Sequence, residues 1–132
     1  MTTDKPGLVF GHANGMPAGS YRKFLAPLTN DFTVHAPDCI GHQPGTEVGS
    51  NWSGLLDEMT AFVAPLPKPL VAVGHSMGAV LLFMLAAQRP DWFRALVMLD
   101  PPLITGWHRW LFSAARLLGQ GDRLTPAGKS KY

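Results

Sequence analysis

The sequence predicts an α/β fold: a mostly parallel central sheet with helices on both faces. Three observations carry that reading. Short apolar runs of strand length alternate with longer stretches whose apolar residues recur at helical spacing. The runs give way to turn-forming Gly, Pro, Asn or Asp residues. One run, Leu70–Val73, passes through Gly74-His75-Ser76-Met77-Gly78 straight into a second apolar stretch, Ala79–Ala87. Strands that alternate with helices are joined by right-handed crossovers and lie parallel.

The elements follow in order. Leu8-Val9-Phe10 reads as a buried strand running into the glycine-flanked loop Gly11-His12-Ala13-Asn14-Gly15. From Ser20 to Asn30, Tyr21, Phe24, Leu25 and Leu28 fall at i, i+3, i+4 and i+7, one stripe along a helix, with Arg22 and Lys23 outward. Phe32–Ala36 is a second strand, stopped by Pro37. Residues 38–51 are rich in Gly, Pro, Ser and Asn and form a loop. Leu55, Leu56, Met59, Phe62 and Val63 make the next helical stripe, with Ser53 as its cap and Pro65 and Pro67 ending it. Leu70–Val73 has the continuous apolar character of a strand buried on both faces. The helix after it is apolar nearly all round as far as Gln88-Arg89-Pro90, so it is expected to be buried on most sides. Ala95–Leu99 is the fourth strand, closed by Asp100-Pro101-Pro102. A further helix is expected over Thr105–Leu118, carrying Trp107 and Trp110, followed by a polar tail from Gly119 to Tyr132. The expected organisation is therefore a core over 1–104, the start of a cap or lid helix over 105–118, and a tail over 119–132.

Composition narrows the class of function. The 132 residues are 46% hydrophobic and 15% charged, with a formal net charge of +2. That suits one domain with a sizeable core, and the scattered Lys and Arg give no footprint for nucleic acid. The single cysteine, Cys39, excludes an internal disulfide and fits a reducing compartment. The opening MTTDKPG has neither the basic nor the apolar segment of a secretory signal. The longest apolar run, Ala79–Ala87, is too short to span a bilayer. A cytoplasmic protein acting on a small molecule, without membrane or nucleic-acid partners, is expected. His35 and His42 have no carboxylate or thiol at ligand spacing, so neither a metal nor another cofactor is expected.

The chemistry centres on Ser76. A strand, one tight turn with Ser at its apex and a helix directly after make a nucleophile elbow. Gly74 and Gly78 leave room for strand and helix to pass closely. A serine hydroxyl attacks well only when a base takes its proton and donors hold the oxyanion that forms. The Met77 N–H, at the start of the helix, is one expected donor. The second is expected from the loop after the first strand, at Ala13 between His12 and Asn14.

Three motifs now resemble the α/β-hydrolase superfamily: Gly74-His75-Ser76-Met77-Gly78 as the elbow, Gly11-His12-Ala13-Asn14-Gly15 as the oxyanion loop, and Ala36-Pro37-Asp38-Cys39-Ile40-Gly41-His42 as the loop after the following strand. Ala13 and His42 stand where many members have Gly. The resemblance covers roughly residues 7–105, the N-terminal half of such a domain, and implies an α/β-hydrolase sheet that stops before its last strands. It implies an esterase-like hydrolase forming an acyl-serine on a small ester-type substrate. It makes Asp100 the candidate acid, beside the alternative of a structural Asp capping the next turn. It assigns substrate contacts to His12, Asn14 and Trp107, although His12 also suits a role orienting the loop, and Trp107 suits simple packing. The superfamily's base follows the last strand. Here the only histidine after Ser76 is His108, in the expected lid helix, so the base is expected outside this chain. A non-catalytic remnant or binding module stays open, as does a haloperoxidase, lyase or transferase built on the same elbow.

Four strands would leave the apolar edge of Ala95–Leu99 unpaired, and unpaired edges associate. The 132-residue chain alone is expected to be poorly soluble or to dimerise through that edge when measured by light scattering after gel filtration. A monomeric, cooperatively melting sample would contradict this.

Overall fold

The computed structural model describes residues 4–102. The helix expected over 105–118, with Trp107 and His108, and the tail lie outside the described residues. β1 (Gly7–Gly11), β2 (Thr33–His35), β3 (Leu70–His75) and β4 (Phe93–Leu99) form one sheet in the order β2-β1-β3-β4. All three pairings are parallel: Leu8 faces Val34 and Val71, and Val71 faces Ala95 across a shift in register near Leu70. The sheet belongs to the α/β class that the alternation predicts.

Because side chains alternate along a strand, the two central strands feed two separate cores. Val9, Leu70 and Ala72 join Leu55, Leu56, Met59 and Val63 of α2 (Ser53–Val63) and Leu81, Leu82 and Leu85 of α3 (Met77–Gln88) on one face. Leu8, Phe10 and Val73 join Tyr21 on the other, flanked by Leu25, Leu28 and Val34. Helices thus cover both faces. Among the described residues no helix is long and apolar enough to cross a membrane.

Three local expectations need correction. The stripe from Ser20 to Asn30 is not one helix: it is a 3-10 turn (Ala18–Tyr21), a single α turn, α1 (Arg22–Leu25), and a second 3-10 turn (Ala26–Asn30). Pro27, within that last turn, has no N–H to give a continuing α-helix, and Phe24 is left 44% exposed. Ser53 is not the cap of α2 but its first residue. Trp52, with φ of 61°, occupies the cap position without a side-chain bond. The Val48 carbonyl instead accepts the Gly54 N–H at 3.1 Å, and the Glu47 backbone presses where a Gly54 Cβ would stand. Finally, α3 begins at Met77, before the apolar run; it is buried on most sides as expected, with Phe83, 50% exposed, on the open one. At the other end of α2, the Lys68 ammonium gathers the carbonyls of Val63, Ala64 and Leu66 and lies 4.5 Å from the centre of the Trp92 ring. β2 and β4 are the edge strands among the described residues, and Val97 of β4 is 45% exposed.

The closest packing joins the end of β1 to the start of α3. A Cβ on Gly78 would come within 3.0 Å of the Gly11 backbone, and one on Gly11 would lie 2.9 Å from the Gly78 Cα. One turn away, a Cβ on Gly74 would strike the backbone of Ala79. Backbone cannot step aside as a flexible side chain can. Gly78→Ala is therefore expected to lose about 2 kcal/mol or more in equilibrium urea unfolding, although alanine gains about 1 kcal/mol of helix propensity. An unchanged midpoint would show that β1 and α3 can separate freely.

Candidate active site

The site forms at the carboxyl ends of β1, β3 and β4, where the crevice of an open parallel sheet lies. Ser76 sits between β3 and α3 with φ of 50° and ψ of −115°. A non-glycine residue seldom adopts this backbone, and its strain must be held by the surroundings. Two bonds hold it. The Ser76 N–H donates to the Leu99 carbonyl of β4 at 2.9 Å, and the Ser76 carbonyl accepts from Val80 N–H at 3.2 Å. The half-buried side chain stands at the apex of the turn. Met77 follows as the first residue of α3, where no upstream helical carbonyl can accept its N–H and the positive end of the helix dipole points. The next N–H, that of Gly78, donates to the His12 carbonyl at 3.1 Å, which ties the elbow to the loop after β1.

His12 is fully buried, at 0% exposure. Its Nε2 accepts the Ile40 N–H at 2.7 Å. Nδ1 must then carry the ring hydrogen, which it donates to the Ala13 carbonyl at 2.8 Å. Burial is the main cause holding its pKa below the ordinary 6.5, against the opposing pull of the Ala13 carbonyl and the Glu58 carboxylate. The expected substrate contact at His12 is therefore corrected: both nitrogens are committed and no surface is left to touch a ligand. Its work is to fix two loops. The second of these, after β2, is held again by Glu58 Oε2, which accepts the Gly41 N–H at 2.9 Å.

Ala13 also differs from expectation. Its N–H donates to the Tyr21 hydroxyl at 3.1 Å, so in this structure it is not turned toward an oxyanion. Asn14, half-buried, follows in the same turn, which the Met16 N–H closes on the Ala13 carbonyl at 3.1 Å. Asp100 lies one residue beyond Leu99, exposed, with a left-handed φ of 45°. It is thus at the same end of the sheet as Ser76. Trp107 lies outside the described residues.

Residues 8–130 match the sequence profile of the alpha/beta hydrolase family. The chain belongs to that family. It is 34% identical over 110 residues to the lipase LipV of Mycobacterium tuberculosis, covering 78% of this chain and 40% of that protein. It is 30% identical over 105 residues to a pimeloyl-[acyl-carrier protein] methyl ester esterase of Yersinia enterocolitica, with coverages of 78% and 40%. Among solved structures it superposes on a monoacylglycerol lipase of Paleococcus ferrophilus with a TM-score of 0.66 at 26% identity, covering 92% of this chain and 49% of that one. The chain thus spans less than half the length of these family members.

The family's shared motifs leave some of the site's connections unannounced. Tyr21, read from its spacing as a core residue, bonds to Ala13 and places its hydroxyl 2.7 Å from His75 Nδ1. A phenol in a stripe of Phe and Leu was the available sign, because a buried hydroxyl needs a partner. Glu58, half-buried on α2, gave no comparable sign.

A histidine kept neutral in the fold but free to protonate when unfolded makes the unfolded state the better proton binder in acid. Its contribution is fully present above the ordinary pKa and is lost as pH falls through it. Urea unfolding is expected to show a steeper loss of stability between about pH 7.5 and about pH 5.5 in the native protein than in His12→Asn, by at most about 1.4 kcal/mol per pH unit. Equal slopes would assign the acid sensitivity elsewhere.

Proposed function

We propose that the protein is an esterase-like hydrolase in which Ser76 attacks the carbonyl of a small ester-type substrate. The observation that carries the reading is the strained Ser76 backbone, held by Leu99 at the mouth of α3. A turn of this shape lifts the hydroxyl clear of the sheet and brings the Met77 N–H beside the position where the oxyanion would form. The relatives named above, a lipase and a methyl ester esterase, support ester chemistry.

The Ser76 oxygen bonds the ester carbon, the alcohol leaves with a proton, and water then cleaves the acyl-serine. Met77 N–H stabilises the negative charge developing on the carbonyl oxygen. Asn14 is the proposed substrate contact on the β1 side, and Asp100 the proposed acid that would orient a base. Of the described histidines, His12 is committed on both nitrogens and His75 has its Nδ1 against Tyr21. The base is proposed to come from outside the described residues, because the family's base follows its last strand.

A fluorophosphonate probe separates these elements. The 132-residue chain is expected to label slowly and at Ser76 alone, as read by peptide mass spectrometry, with loss of labelling in Ser76→Ala. An oxyanion donor without a base still accelerates attack over water. Labelling that persists in Ser76→Ala would overturn the assignment of the nucleophile, and fast labelling would show that a base lies within the chain.

A further inference from the structure

We propose that Tyr21 is a positioning residue of this site, whose hydroxyl locks the loop after β1 to the residue that precedes Ser76. The proposal rests on the reading of Ser76 as nucleophile. The Tyr21 oxygen accepts the Ala13 N–H at 3.1 Å and stands 2.7 Å from His75 Nδ1. Having accepted from Ala13, the phenol has one proton to give. The imidazole nitrogen takes it in preference to the Met16 sulfur, 4.0 Å away. His75 Nδ1 is then an acceptor, and its ring hydrogen sits on Nε2.

The ring is braced for this task. Tyr21 stacks at 4.6 Å, tilted, on Phe10 of β1, and meets His75 edge-on at 5.8 Å. Burial raises the phenol above its ordinary pKa of 10.0, so it stays a hydroxyl rather than a phenolate. The chain Ala13 N–H, Tyr21 O–H, His75 Nδ1 thereby connects the two segments that flank the proposed oxyanion, in addition to the Gly78 to His12 bond. Without it the loop keeps one tether to the elbow, and the turn carrying Ser76 loses its side-chain anchor.

Tyr21→Phe keeps the ring and removes only the hydroxyl. In the 132-residue chain we expect it to slow fluorophosphonate labelling of Ser76 about tenfold, the equivalent of one neutral hydrogen bond. Nitrogen-15 spectra of the His75 ring should show Nδ1 lose its bound-acceptor signature, with little change in melting temperature. His75→Asn, whose amide oxygen can stand where Nδ1 stands, is expected to keep the native labelling rate, while His75→Leu falls with Tyr21→Phe. Native labelling in Tyr21→Phe, or equal rates in His75→Asn and His75→Leu, would overturn the proposal. Absence of labelling in the native chain above the Ser76→Ala level would overturn the nucleophile reading and this one with it. An unchanged His75 spectrum in Tyr21→Phe would overturn it as well, since the lock is the bond to Nδ1.

Discussion

The contact between Gly11 and Gly78 sets the shape of everything around Ser76. Two backbones meet there without a side chain between them, so the start of α3 lies against the end of β1. That approach lets the Gly78 N–H reach the His12 carbonyl. It also fixes how far the loop after β1 stands from the turn at Ser76. Any methyl group between them would push the helix outward and widen the gap between that loop and the turn. The glycines are a requirement of distance more than of flexibility.

Around that contact the polar groups are spent on loops rather than on the sheet. His12 holds the Ala13 carbonyl with one nitrogen and the Ile40 amide with the other, and Glu58 takes the adjacent Gly41 amide. Each is an interior or half-interior group whose partner is backbone, so removing either would strand an amide away from water. The neutral form of His12 follows from this geometry, because an accepting Nε2 and a donating Nδ1 leave no place for a second proton. The precision of a loop-built site here comes from side chains bonded to the backbone of the loops themselves.

Much of this was legible in the sequence, and for definite reasons. The strands at Leu8–Phe10 and Leu70–Val73 announce themselves because a strand buried on both faces must be apolar at every position. The elbow is readable because its glycines stand at fixed offsets from Ser76. What stayed hidden depends on contacts between distant segments. Nothing near Ser53 reveals that Val48 would satisfy the start of α2, and the stripe from Tyr21 to Leu28 outweighs Pro27 in a periodicity count although it does not in the fold. The committed state of the Ala13 N–H was invisible too, since it is decided by a hydroxyl eight residues away.

The strand order β2-β1-β3-β4 has a consequence for how the site comes into being. β1 is central, and its second neighbour, β3, arrives only after β2 and α2 have been made. The links that define the site span long stretches of chain: 28 residues from His12 to Ile40 and 54 from Tyr21 to His75. Closing such loops costs entropy before any contact repays it, and parallel pairing is slow for that reason. The turn at Ser76 cannot acquire its shape before β4 docks, because the Leu99 carbonyl that takes its N–H belongs to that last strand. Chemistry and folding are thus completed by the same docking event.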